Sequence, residues 1–263
     1  MSKMKYTDIL NSRKADISVF YKTVDNLKLP LQVFLPDSFN KSEKYKTVIA
    51  IHGGGWRSLK KTPDCWNGGW MANNVKYYAE KGYVGIVFSY RDLRFTENSD
   101  VGDLLKDCRD ALKYIADNFS FADKENILIM GDSAGAHLAL CLGMCLPDGQ
   151  NSALKPNRII ACNPITDCVE GKWNHCAENT KLYSPVHNIK RIDADVLIMH
   201  GTEDATVSIE DSRIFTNSMK ALGNNISMIE IPGAKHAFIL FGYTADEKDV
   251  LDALKLADEH FGL

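Results

Sequence analysis

No uninterrupted apolar run of about 18 residues, the length a membrane-spanning helix needs, occurs anywhere in the 263-residue chain. The richest stretch, Ala136 to Leu146, is shorter and contains His137. An excess of basic charge is missing too. Thirty-one Lys and Arg stand against 34 Asp and Glu, a net charge of −3, so nothing draws the protein to nucleic acid or to an anionic membrane. The N-terminal segment MSKMKYTDILNSRKAD has no apolar stretch behind its lysines, and no secretory leader is expected. The seven cysteines, an odd number, include no Cys-x-x-Cys pair. Cys141 and Cys145 lie one helical turn apart and read as an apolar face rather than as metal ligands. These absences lead to the expectation of a reduced, cytoplasmic setting without metal or cofactor. No repeat, low-complexity tract or Pro/Gly/Ser-rich linker interrupts the chain, so residues 1–263 are expected to form a single domain.

What the chain does have is the composition of an ordinary globular protein, 45% hydrophobic and 25% charged, with length enough to bury a full core. Short β-branched runs at Ile17–Val24, Leu29–Leu35, Val48–Ile51, Val84–Ser89, Asn126–Met130, Arg158–Cys162, Val196–His200 and Ile226–Ile231 read as strands. Helical patterns lie at Ala72–Lys81, Gly102–Asn118, Ala134–Leu146, Ile209–Leu222 and Asp246–His260. In the last, Val250, Leu251, Leu254, Leu256 and Ala257 fall near one face. The first two runs alternate and flank Asp25-Asn26, which predicts an antiparallel hairpin at one edge. From Val48 onward the rhythm of strand then helix predicts a parallel sheet with helices on both faces.

Such sheets collect their chemistry beyond the carboxyl ends of the strands. Four segments of the sequence meet that condition: His52-Gly53-Gly54-Gly55-Trp56, Gly131-Asp132-Ser133-Ala134-Gly135, His200-Gly201-Thr202-Glu203-Asp204 and Pro232-Gly233-Ala234-Lys235-His236. The second is Gly-x-Ser-x-Gly between a strand and a helix, a turn tight enough to force a serine into strained backbone angles and raise its hydroxyl above the sheet. A hydroxyl needs a base to take its proton. Of seven histidines, His236 follows the last strand and lies over the edge that carries Ser133, which makes it the candidate base. His52 reads as fixing its own loop, His137 as structural and His200 as packing. His175, His187 and His260 sit in polar surroundings of the surface. Asp204 is the candidate acid to orient the imidazole, with Glu203 as its rival. A phosphate cradle would need a lysine and a hydroxyl residue after the glycines, or a Gly-x-Gly-x-x-Gly helix opening, and neither is present. The amides of Gly54 and Gly55, with that of Ala134, are therefore the candidate donors of an oxyanion hole.

His52-Gly53-Gly54-Gly55-Trp56, Gly131-Asp132-Ser133-Ala134-Gly135, Asp204 and His236 together resemble the α/β-hydrolase esterases of the hormone-sensitive-lipase-like group, and most of all their compact feruloyl/acetyl esterase branch. Ser89-Tyr90-Arg91 resembles that group's Tyr-Arg pair, whose arginine is structural. The resemblance, from about Val48 onward, implies the α/β-hydrolase fold, here with an eight-stranded, mostly parallel sheet and an antiparallel N-terminal edge. It also implies a triad of Ser133, Asp204 and His236 without a metal. Only 51 residues precede His52, so a large cap is not expected, although residues 163–189 are a candidate small lid.

All four tryptophans, Trp56, Trp66, Trp70 and Trp173, fall in loops at or after the expected catalytic edge. Trp56 and Trp173 are candidates for substrate contact by stacking, and Arg57, Lys60, Lys61 and Asp64 make the rim polar. The expected reaction is hydrolysis of a short-acyl ester, such as an acetyl group on a sugar or small alcohol. Alternatives are amide cleavage, by an arylformamidase or serine peptidase of the same fold, and a binding protein on a hydrolase scaffold. The expected partner is the small-molecule ester, with a homodimer left open.

Overall fold

The computed structural model describes residues 6–24, 26–57, 71–93, 99–147 and 149–263. Eight strands form one sheet in the order β1-β2-β4-β3-β5-β6-β7-β8. β1 (Ile17–Val24) and β2 (Leu27–Phe34) are the hairpin expected from their alternation, with Ile17 opposite Val33. β2 also runs antiparallel to β4 (Val84–Phe88). The remaining neighbours pair in parallel: β4 with β3 (Tyr45–Ile51), β3 with β5 (Ala122–Asp132), then β6 (Arg158–Cys162), β7 (Asp195–Gly201) and β8 (Ile226–Ile231). The central strands are covered on both sides, which is why they read as unbroken apolar runs rather than alternations.

Helices α3 (Val101–Asn118), α4 (Ala134–Gly143) and α5 (Ile209–Ala221) close one face over Ile49, Ile51, Ile86 and Ile129. On the other face α1 (Tyr6–Ser12), α2 (Ala72–Glu80) and α6 (Glu247–Phe261) cover Val48, Ala50, Val87 and Met130. Neighbouring strand residues therefore divide between two cores, as the two-residue pleat requires. In α6, Val250, Leu254 and Ala257 are buried but Leu256 is exposed, so the apolar stripe is narrower than its sequence suggests. α4 stops short of the expected Leu146 because Cys145 takes φ +54°, which breaks the helix ahead of Pro147.

Candidate active site

Ser133 occupies the single position between β5 and α4. Its backbone has φ 55° and ψ −121°, a strained conformation for a residue with a Cβ. Two hydrogen bonds hold it there. Its amide donates to Cys162 O at 2.8 Å, and its carbonyl accepts from the His137 amide at 3.0 Å. The close approach also explains Gly135, where a Cβ would stand 2.1 Å from Ile51 O. The chain thus turns from strand into helix beneath the β3 loop, and Ser133 sits at the helix N-terminus, where the helix dipole favours developing negative charge.

Asp204 follows β7, and His236 lies in the loop after β8. His236 Nδ1 is 2.7 Å from Asp204 Oδ2. A carboxylate can only accept, so Nδ1 carries the proton and Nε2 is left as the basic nitrogen of the neutral ring. Asp204 Oδ1 accepts from the amides of Thr206 at 2.7 Å and Val207 at 2.9 Å. Burial alone would raise the pKa of Asp204. Hydrogen bonds from His200, His236 and the Val207 amide outweigh it and hold the carboxyl well below its ordinary value. Glu203 is exposed, so the shorter acid is the one that His236 engages.

The glycine loop after β3 is held by His52. Its ring stacks on Tyr90 with 4.3 Å between centroids, Nδ1 donates to Gly53 O at 2.9 Å, and Nε2 lies 3.2 Å from Ser89 Oγ. Burial lowers the pKa of His52, against the opposing pull of Gly53 O. Gly54 and Gly55 adopt φ 101° and 63°, conformations that L side chains resist. Ser133, His236, Gly54, Gly55, Trp173 and Tyr243 are among the residues that line one cavity of about 260 Å³.

Trp56 does not line that cavity. Its ring is wholly buried, its indole N–H donates to His137 Nδ1 at 3.2 Å, and it meets Trp173 edge-on at 5.6 Å. It backs the tryptophan that does face the cavity. His137 is structural as expected: burial pushes its pKa down to about 4, and Nε2 donates to Tyr183 O at 2.7 Å. Arg91 is bound at Nε and Nη2 by the two oxygens of Asp107, at 2.8 and 2.9 Å. Trp66, Trp70, Lys60, Lys61 and Asp64 lie outside the described residues.

Two groups of the site escaped sequence reasoning. His200 is more than packing, since its Nε2 stands 3.4 Å from Asp204 Oδ2. The His-Gly-x-x-Asp spacing that brings them together was visible, but nothing in a sequence shows that the turn folds the imidazole back. Asp132 lines the cavity beside Ser133. Burial pushes its carboxyl up to about 7, with His236 and Asn163 pulling the other way and Asp204 adding to the rise.

Residues 31–158 match the BD-FAE family, and residues 166–263 match the prolyl oligopeptidase family. Thermogutta terrifontis esterase 2 in its apo form superimposes with a TM-score of 0.80 at 27% identity, over 94% of this chain and 93% of that one. The same esterase phosphorylated by paraoxon gives a TM-score of 0.80 at 27% identity, over 93% and 92%. A probable dipeptidyl-peptidase 5 of Aspergillus terreus is 30% identical across 47% of this chain, but that match spans only 17% of the relative's own length. The isoprenylcysteine α-carbonyl methylesterase of Arabidopsis thaliana is 20% identical over 78% of this chain and 53% of its own. Fold, strand order and these likenesses agree: the chain has the α/β-hydrolase fold, which it shares with the esterases and peptidases it resembles.

Proposed function

We propose that the protein is a serine ester hydrolase in which Ser133 is the nucleophile, His236 the general base and Asp204 the acid that orients it. The observation that carries this reading is the 2.7 Å bond from His236 to the enclosed carboxylate of Asp204, with His236 lining the same cavity as a serine held at a strained strand-to-helix turn. In the acylation step His236 Nε2 takes the Ser133 proton as Oγ bonds to the ester carbonyl carbon. The amides of Gly54, Gly55 and Ala134 receive the oxyanion. Collapse breaks the ester C–O bond, and the leaving alcohol takes the proton back from His236. Water then repeats the sequence on the acyl-serine and releases the acid.

A cavity of about 260 Å³ suits a short acyl group. The solved esterase similar to this chain was also determined with butyrate and with propionate bound, which supports the same preference. Trp173 offers a face to a sugar or other small alcohol, and residues 163–189, three short 3-10 turns around it, form the proposed lid. The match of residues 166–263 to the prolyl oligopeptidase family favours amide cleavage as the second reading.

A fluorophosphonate probe and a substrate panel test these readings. Wild-type protein is expected to be labelled at Ser133 and to turn over p-nitrophenyl acetate faster than long-chain esters, an aryl formamide or a dipeptide anilide. Ser133→Ala should lose both labelling and turnover. Asp204→Asn should lower kcat by up to about four orders of magnitude, while Glu203→Gln stays close to wild type. Absence of labelling in the native protein would sink the reading, and faster cleavage of the anilide would move it to peptidase chemistry.

A further inference from the structure

Asp204 has two imidazole neighbours, and the mechanism above uses only one. His200 lies in β7, wholly enclosed. Its Nε2 is 3.2 Å from Val207 O and 3.4 Å from Asp204 Oδ2, and its Nδ1 is 2.8 Å from Ser212 Oγ on α5. A backbone carbonyl only accepts, so Nε2 carries a proton, and Nδ1 of the neutral ring accepts from the Ser212 hydroxyl. Partners from two elements, the loop after β7 and α5, thereby fix one tautomer. The Nε2–H is shared between Val207 O and the same carboxylate oxygen that binds His236.

We propose that His200 is a positioning residue that acts through Asp204 to set the orientation and proton affinity of His236. The proposal rests on the assignment of Asp204 and His236 as an acid–base pair. Two N–H donors on one oxygen divide its negative charge between them. Without the His200 donor, Oδ2 faces His236 alone and holds the imidazolium form more strongly, so His236 keeps its proton to higher pH. The titratable groups around His200 are Asp204 and His236 from the two loops, Asp211 from α5 and Glu230 from β8, the last two being within its electrostatic reach. Asp132 at the end of β5 faces His236 as well. The variants below leave all five in place.

The test is an NMR titration of the His236 imidazole in labelled protein without substrate. In His200→Leu the His236 titration is expected to move up by about one pH unit, and the acid limb of the kcat/KM profile should move with it while KM changes little. In His200→Gln the side-chain amide reaches the place of Nε2 and restores a donor, so the titration should follow wild type. Ser212→Ala, which releases the tautomer without removing the ring, should give a smaller shift in the same direction and carries the test where His200→Leu does not fold. A His236 titration unmoved by His200→Leu and Ser212→Ala, or a His200→Gln shift as large as that of leucine, would overturn the proposal. Should Ser133 take no fluorophosphonate while His236 shifts as described, the esterase reading falls and the coupling stands.

Discussion

At the scale of single residues, Asp132 is placed where its charge costs most. It is buried at the end of β5, and Oδ1 has no hydrogen-bond partner among the described residues. Its pKa, about 7 in the fold, exceeds the ordinary aspartate value near 3.9. The unfolded chain therefore releases the proton first as pH rises, and stability is lost between about pH 4 and 7. Asp132→Asn removes that loss at little change in shape. The amide variant should melt higher than wild type at pH 8, with a gap that opens from about pH 4, levels off above 7 and is on the order of 4 kcal/mol at most. Calorimetry across that range decides it, and a constant gap would mean that ionisation of Asp132 is not the cause. Asp204 has the opposite sign. Its depressed pKa stabilises the fold above the ordinary aspartate value, and that contribution disappears as pH falls through the folded value.

Among elements, the strand-turn-helix of β5, Ser133 and α4 bears the tightest steric constraint. Gly135 presses its Cα face on Ile51 O, where a Cβ at 2.1 Å has only backbone to displace. Gly135→Ala should therefore cost about 1–3 kcal/mol, as overpacked sites do, and should slow fluorophosphonate labelling of Ser133 more than global unfolding explains. Urea unfolding and labelling rates on one sample separate the two effects. This element was legible because its glycines, its serine and the flanking periodicities all point to one turn. Others were not. α1 (Tyr6–Ser12) is seven residues long, too short for a helical period to emerge, and Leu10 owes its burial to packing from across the fold. β5 begins at Ala122, earlier than expected, because Asp123, Lys124 and Glu125 break the apolar run that signals a strand. Trp56 was placed beside the oxyanion glycines by sequence, but its direction follows from φ 60° and from His137 waiting beneath it, neither of which is written locally.

Across the whole molecule, the antiparallel edge is tied to the helical layer through carboxylates of α3, Asp107 above all. Asp107 on α3 is fully buried and accepts from Arg91 and from Lys22 of β1, the latter at 2.5 Å, while Lys22 also reaches Asp110 at 2.6 Å. Arg91 and Lys22 both retain an outlet toward solvent, whereas Asp107 has none. Asp107→Ala leaves the guanidinium without its main partner and should cost about 3–5 kcal/mol. A loss below 1 kcal/mol in urea unfolding would show the cations relaxing to water. The sheet order and helix placement behind this tie were readable from the strand–helix rhythm. The tie itself was not, since Lys22, Arg91 and Asp107 become neighbours only when β1 folds over α3.

The strand order also sets a timetable for synthesis. β3, β4 and β5 are adjacent in space and complete by residue 132, and the serine turn needs only β6 besides, whose Cys162 O accepts from the Ser133 amide. β6, β7 and β8 are then added outward one after another, and the aspartate and histidine arrive on the last two of these. A ribosome-bound chain ending near residue 190 would display the hydroxyl with neither of its helpers. With the triad proposed above, hydrolysis begins only after the outermost strand has docked.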